Sequence, residues 1–267
     1  MRDIVGNNSA LVRDLAERPD TVDYAVGDVH GYLDNLVAAL RWCAADAAAR
    51  GMRARVHLLG DYVDRGPDSR GVVELLMRGW DDPHVELLPL RGNHDHVFAS
   101  VVADPRHELA REWWEHGGQQ TLMSYGWDPV RDGLPGDIRR WVSDGHARFL
   151  GSLPLACTVG QRLFVHAGVR PGRALARQTG RDLMWIRTEF LKYQGDYGHV
   201  VVHGHSPESA NPRDHGNRIA MDGGCFYTGN LAVAAFDPGA CAPRFMIAKS
   251  VMFEPTPPRI AGPLPAP

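Results

Sequence analysis

An α/β sandwich, two mixed β-sheets with helices outside, is the fold class that three features of this 267-residue sequence predict. Short apolar runs recur, and five of them end in a polar motif rich in Asp, His and Asn, the placement at which open α/β sheets collect ligands. The first three runs alternate with stretches of helical periodicity, which suits parallel strands joined by crossover helices. The second half is strand-rich instead. Apolar residues make up 44% of the chain, enough for one large core. The reading is therefore one main domain over 21–253, between an N-terminal extension (1–20) and a Pro-rich tail (254–267).

Residues 9–17 predict a short helix stopped by Pro19. Residues 22–26 predict a strand, ending in Gly27-Asp28-Val29-His30-Gly31. Leu33, Leu36, Val37 and Leu40 follow at helical spacing, so a helix packs back on the sheet. The next strand, 56–59, delivers Gly60-Asp61-Tyr62-Val63-Asp64-Arg65-Gly66. Pro67 and Asp68 open a helix carrying Val72, Val73, Leu75 and Leu76. Strand 85–90 leads into Arg91-Gly92-Asn93-His94-Asp95. Residues 106–150, with Trp113, Trp114, Trp127 and Trp141 among many charges, read as a helical insertion. Those tryptophans read as anchors between helices and sheet, with the lining of a groove as the alternative. Residues 155–159 and 162–165 flank Gly160-Gln161 and predict a hairpin, which ends in Val165-His166-Ala167-Gly168. Residues 181–191 predict a helix; 200–202, 218–221, 231–236 and 244–247 predict strands, the first of them opening into His203-Gly204-His205. The tail has six prolines in its last fourteen residues, so an extended or disordered segment is expected.

Composition narrows the function classes. A formal net charge of −3 gives no global basic field for nucleic acid. No stretch reaches the roughly 18 apolar residues of a membrane span. The N-terminus is charged and lacks the apolar core of a signal peptide, so a soluble, cytoplasmic protein is expected. Cys43, Cys157, Cys225 and Cys241 are widely spaced, which favours free thiols in a reducing compartment over a disulfide framework.

The motifs supply carboxylate, imidazole and amide oxygen, and no thiolate. These are ligands for hard and borderline cations. Such a set suits phosphate-ester hydrolysis, in which two cations about 3.5–4 Å apart acidify a water and neutralise developing charge. Asp28 and His30 converge where their strand breaks into a loop, and are assigned to a first metal. Asp61 can bridge two ions with its two oxygens. Asn93, His166 and His205 complete the second site with Asp61. The ordered set argues for a shared centre, although any one of the motifs arises by chance.

These motifs resemble those of the phosphoprotein phosphatase family of metallophosphoesterases, over about 22–236. That family includes protein serine/threonine phosphatases and symmetrical dinucleoside tetraphosphatases. Gly117-Gly118-Gln119-Gln120-Thr121-Leu122-Met123-Ser124-Tyr125-Gly126 and Leu183-Met184-Trp185-Ile186-Arg187 are similar to its compact bacterial phosphatases. The resemblance implies a calcineurin-like sandwich and direct attack of a metal-bridging hydroxide, with no covalent phosphoenzyme. It implies the six metal ligands named above, with His94 as general acid and Asp64 as its orienting carboxylate. Arg65, Arg91 and Arg187 stand where the bacterial enzymes bind phosphate, although Arg91 could instead face solvent. Manganese is the first expectation for the two divalent ions, with iron, zinc or cobalt also compatible. Asp95 stands where protein phosphatases usually carry Glu, as in the dinucleotide hydrolases. Asp64 is kept where bacterial dinucleotide hydrolases often have Ala. Asp64 bears on catalysis, so a phosphoserine/phosphothreonine protein phosphatase is read first, and a symmetrical bis(5'-nucleosyl)-tetraphosphatase second. A phosphate-recognising module that has lost catalysis would be expected to lack a ligand or the acid, and none is missing. The substrate is a phosphoprotein or a phosphorylated small molecule.

Of the thirteen histidines, nine need no such role. His57, His84, His107, His116, His146, His199 and His215 read as surface or core residues. His96 and His203 lie beside the site and read as packing, with support of the ligands as the alternative. Asp222-Gly223-Gly224 reads as a turn.

Overall fold

The computed structural model describes residues 12–208 and 210–249. Its strands are β1 (Val12–Leu15), β2 (Thr21–Val26), β3 (Arg53–Leu58), β4 (Val85–Pro89), β5 (Ala156–Val159), β6 (Arg162–Val165), β7 (Val200–His203), β8 (Arg213–Asp214), β9 (Arg218–Ala220), β10 (Leu231–Phe236) and β11 (Arg244–Ala248). The helices are α1 (Leu33–Ala49), α2 (Ser69–Arg78), α3 (Asn93–Ala103), α4 (Ala110–Trp113), α5 (Gln119–Ser124), α6 (Pro129–Asp132), α7 (Asp144–Ser152), α8 (Gly180–Trp185), α9 (Thr188–Leu191) and α10 (Cys225–Thr228). One sheet runs β11-β10-β2-β3-β4, the other β1-β5-β6-β7-β9-β8. Both are mixed, as expected: β2, β3 and β4 are parallel, while β10 is antiparallel to β2.

β2 is buried along its whole length because both of its faces are covered. Val22, Tyr24 and Val26 pack with Leu36, Leu40 and Cys43 of α1. Ala25 faces the second sheet, in a layer that holds Phe164 and Val202. That inter-sheet layer also holds a charged group. Arg55 donates to both oxygens of Asp23, at 2.6 and 2.9 Å, and His57 Nε2 lies 2.8 Å from the same carboxylate. The His57 ring stacks on Phe164 with 3.8 Å between centroids. Cys43, Cys157 and Cys225 are buried and Cys241 is exposed; all four are free.

The strands and helices flanking the motifs follow the sequence reading closely. Two elements differ. The helix expected over 9–17 is replaced by β1, which pairs in parallel with β5; residues 9–11 lie outside the described residues. Edge pairing overrides a weak local helical preference in so short a stretch. The helix expected over 181–191 is two helices. Ile186 turns extended (φ −61°, ψ 140°) and Arg187 leaves the helical region (φ −133°, ψ −90°). The Pro-rich tail lies outside the described residues. No helix among the described residues is long and apolar enough to cross a membrane.

Candidate metal centre and active site

The C-terminal ends of β2, β3 and β4 line up along one edge, with Val26 opposite Leu58 and Leu58 opposite Pro89. β6 and β7 are likewise parallel, with Val165 opposite His203. All five motifs leave from these ends, so the first sheet contributes three loops and the second sheet two. Backbone bonds stitch the loops together. His30 N–H donates to the Asp61 carbonyl at 2.7 Å, Gly31 N–H to that of Tyr62 at 2.9 Å, and Gly204 N–H to that of His166 at 2.8 Å. The Asp95 carboxylate accepts N–H bonds from Asp61, Tyr62 and Gly92, each at 2.8 Å. Asp95 therefore locks the third loop onto the second.

Five non-glycine residues among those described have φ in the left-handed region: His30, Asp61, Asp64, Arg65 and His205. Every one belongs to a motif. Each such residue costs about 1–3 kcal/mol and persists only where its surroundings over-determine it.

Asp61 is the hub. Its Oδ2 lies 3.6 Å from His30 Nε2 and its Oδ1 3.5 Å from His166 Nε2. His30 Nδ1 is 2.9 Å from the Val63 carbonyl, and His166 Nδ1 is 2.8 Å from the Leu59 carbonyl. A carbonyl can only accept, so each ring donates from Nδ1, and a neutral ring then presents its Nε2 lone pair to Asp61. His166 Nε2 also faces Asn93 Oδ1 at 2.9 Å. His205 Nε2 is buried with no hydrogen-bond partner among the described residues. Asp28 accepts the His205 N–H at 3.1 Å with both oxygens.

Lone pairs thus converge from three imidazoles, an amide and carboxylates. Burial, then the charges of Asp222 and Asp61, push the Asp28 carboxyl well above the usual range. Burial raises Asp222 to about 6. Burial would raise Asp61 too, but the His166, His94, His30 and His205 rings hold it below its ordinary value. Burial and His166 push His205 down to about 2. Crowded buried carboxylates beside neutral imidazoles are relieved by a cation, and the donor types fit divalent transition metals. His30, Asp61 and His94 bring ligand atoms within 4.8 Å of one another, as do Asp61, His166 and His205. The two groups share Asp61, as a bridging carboxylate requires.

His94 Nδ1 lies 2.7 Å from Asp64 Oδ2. Arg65 reaches both rings, with Nη1 2.9 Å from His30 Nε2 and Nη2 3.0 Å from His94 Nε2, and its guanidinium lies 4.2 Å from the Phe226 ring centroid. Burial opposes charge on His94, yet Asp61 and Asp64 raise its pKa above the free imidazole value. Arg187 stands at the break between α8 and α9, exposed, with Nη1 3.4 Å from Ser206 Oγ. Arg65 and Arg187 line a cavity of about 2020 Å³ that also exposes Asn93, His94 and His205. Arg91 is placed apart. Its Nη1 donates to the Gly151 carbonyl at the end of α7, and it is absent from the cavity wall. His96 packs edge-on against Trp185, and His203 against Phe190. Three contributors escaped the sequence reading: Asp222, Trp113 and Thr121. Asp222 follows a strand end as the other motifs do, and that signal could have marked it as more than a turn.

A sequence profile described as calcineurin-like phosphoesterase matches residues 24–240. The serine/threonine-protein phosphatase 1 of Salmonella typhimurium is 33% identical over 95 residues, 36% of this chain and 38% of that protein. The symmetrical bis(5'-nucleosyl)-tetraphosphatase of an Acidovorax species is 28% identical over 205 residues, 71% of this chain and 58% of that protein. The chain thus spans less than two thirds of these curated relatives. A solved structure named as a candidate diadenosine tetraphosphatase superposes with a TM-score of 0.60 at 23% identity, covering 89% of this chain and 97% of that one. A Saccharomyces cerevisiae protein serine/threonine phosphatase superposes at 0.57 with 15% identity, covering 93% and 88%. Both structural likenesses speak to the fold.

Proposed function

We propose, from the premise that the chain belongs to the calcineurin-like phosphoesterase family, that it is a metal-dependent phosphomonoesterase acting on phosphoserine and phosphothreonine in proteins. The observation that carries this reading is the 2.7 Å pair of His94 and Asp64. A serine or threonine alkoxide is a poor leaving group and needs a proton as the P–O bond breaks. A nucleoside polyphosphate leaves as a stable anion and needs none. A carboxylate-oriented imidazole, poised to be charged, is a device for the first case.

Asp28, His30 and Asp61 would hold one cation, and Asp61, Asn93, His166 and His205 the other; manganese is the first expectation, with iron, zinc and cobalt compatible with the same donors. When bound, the pair supplies Lewis-acid activation of water and neutralises phosphoryl charge. The chain's own residues do the rest. Arg65 and Arg187 grip phosphoryl oxygens, for which a guanidinium offers paired donors. To do so, Arg65 exchanges its contacts with His30 and His94 for the substrate. His94 Nε2 gives its proton to the departing oxygen, while Asp64 keeps Nδ1 occupied and the ring oriented. Arg91 has no part, because its guanidinium is turned to Gly151. A cytoplasmic setting accords with the free thiols.

A second reading rests on the cavity. At about 2020 Å³ it exceeds what one phosphate needs, and a dinucleoside polyphosphate is an alternative occupant. Steady-state turnover of the manganese-loaded protein on phosphoserine/phosphothreonine peptides and on diadenosine tetraphosphate separates the two. A kcat/KM roughly tenfold or more higher on peptides supports the phosphatase; the reverse ratio overturns it.

A further inference from the structure

The Asp64 carboxylate is fully buried, and its bond to His94 uses one oxygen. The other oxygen, Oδ1, accepts from Trp113 Nε1 at 2.9 Å and from Thr121 Oγ1 at 2.7 Å. Both donors come from the helical insertion, outside every strand-end motif. Proton accounting makes Thr121 specific. Its single hydroxyl proton goes to Asp64 Oδ1, while its oxygen accepts the Asp64 N–H at 2.8 Å. Ser69 Oγ stands 3.2 Å from the same hydroxyl and 3.1 Å from the Asp64 nitrogen. Thr121 therefore holds Asp64 by both backbone and side chain.

The insertion is shaped to bring these donors in. Between α4 and α5 the helix widens into a π turn over Trp114–Gly118, and Gly117 takes φ +116°. A Cβ at Gly117 would stand 2.4 Å from the Arg65 nitrogen, and one at Gly118 2.5 Å from the Trp113 indole. The Gly117-Gly118 pair thus lets the insertion close on the Asp64-Arg65 loop and lets the indole seat itself. The Gly117 carbonyl accepts the Arg65 N–H at 3.3 Å.

We propose that Trp113 and Thr121 are positioning residues for proton delivery: they fix the Asp64 carboxylate so that His94 Nε2 is aimed at the leaving oxygen. The inference rests on the proposed role of His94. In the step concerned, the phosphorus–oxygen bond to the leaving group breaks and that oxygen takes the proton from His94 Nε2. A water oxygen forms the new bond to phosphorus and gives up one proton to solvent, from which His94 is reprotonated for the next turnover. An imprecisely held Asp64 leaves phosphate binding intact and slows only substrates whose leaving group needs the proton.

Thr121→Val removes one donor with little change of shape, Trp113→Phe removes the other at the cost of one buried ring, and Thr121→Ser keeps the hydroxyl. Each is compared with the parent on an alkyl phosphate and on p-nitrophenyl phosphate, whose leaving group is stable as an anion. His94→Asn serves as reference, and metal content and thermal unfolding are measured alongside. Trp113→Phe and Thr121→Val should each lower kcat on the alkyl ester roughly tenfold, with KM and aryl-ester turnover little changed, and Thr121→Ser should stay near the parent. Equal losses on both esters, or a change in KM alone, overturn the proposal. If His94→Asn itself slows both esters equally, the acid assignment fails. If His94→Asn is selective and the other two are not, only the positioning role fails. Should Trp113→Phe unfold, Thr121→Val and Thr121→Ser decide the matter alone.

Discussion

Gly92→Ala isolates the placement of the Asp61 carboxylate. Gly92 has ordinary backbone angles, φ −88° and ψ 176°, so alanine brings no conformational strain of its own. The added Cβ would stand 2.1 Å from Asp61 Oδ1 and 2.4 Å from the Asp61 backbone nitrogen. Rotating the carboxylate clears the first contact and leaves the second. The two loops must therefore separate until the carbon–nitrogen approach opens from 2.4 Å to at least 3.0 Å. Asp95 bonds to both sides of that seam, at Gly92 and at Asp61, so the separation stretches its hydrogen bonds as well. Overpacking of this kind costs about 1–3 kcal/mol of stability. A displacement approaching 1 Å in a reacting constellation costs about 100-fold in turnover. The assay is kcat on p-nitrophenyl phosphate, with metal stoichiometry by elemental analysis and Gly136→Ala as control, since nothing lies within 4 Å of a Cβ there. Parental turnover and full metal content in Gly92→Ala would refute the assignment of Asp61 as the shared ligand.

Asp61→Asn should weaken both cations together, because one oxygen pair serves both; loss of a single equivalent in a metal titration argues against the bridge. His94→Asn should lower kcat on alkyl phosphates by about 10²–10⁴ while metal content stays parental, and undiminished turnover rules out the acid role. Asp23→Asn should cost about 3–5 kcal/mol in urea unfolding, because the Arg55 charge is left buried without its counter-ion; a change near zero contradicts the inter-sheet ion group. Stability should also fall with acid. Burial keeps native His57 below the free value of 6.5, despite Asp23, so the unfolded chain takes up the proton first and stability drops as pH falls from about 6.5. Burial alone would raise Asp23, but His57 and Arg55 outweigh it and set the native value below 3.8. Its contribution is present above about 3.8 and is lost as pH falls through the native value. A urea midpoint that is flat or rising from about pH 7 to 5 would count against the His57 contribution, and one that is flat or rising below about pH 4 against that of Asp23.

The strand ends are legible in the sequence because a strand that stops in a ligand loop leaves a local mark: an apolar run, then glycine, then Asp, His or Asn. Ligand convergence follows from counting such ends. Partnerships across distant segments are less visible. Trp113 and Thr121 lie 49 and 57 residues from the carboxylate they hold, and no periodicity connects them to it. A packing role for Trp113 is half of the truth, since the buried indole also spends its one N–H on Asp64. Arg91 illustrates a different limit. Its motif neighbours point into the cavity, but its own side chain follows β4 toward α7, a direction that neighbouring residues do not dictate. β1 escapes the sequence reading because four residues carry too little pattern to outweigh pairing with a distant edge.

The two sheets reach the centre from different sides, with Asp28, Asp61 and Asn93 on one and His166 and His205 on the other. A cation pair held by all of them would act as a rivet through the sandwich. Binding would then be inseparable from sheet docking, and the melting temperature would climb with free metal by the mass-action law for a ligand of the native state alone. The converse matters for how such a protein can change. A substitution deep between the sheets, at Phe164 or His57, can loosen the rivet without touching a ligand. Metal affinity would thus depend in part on the packing of the core.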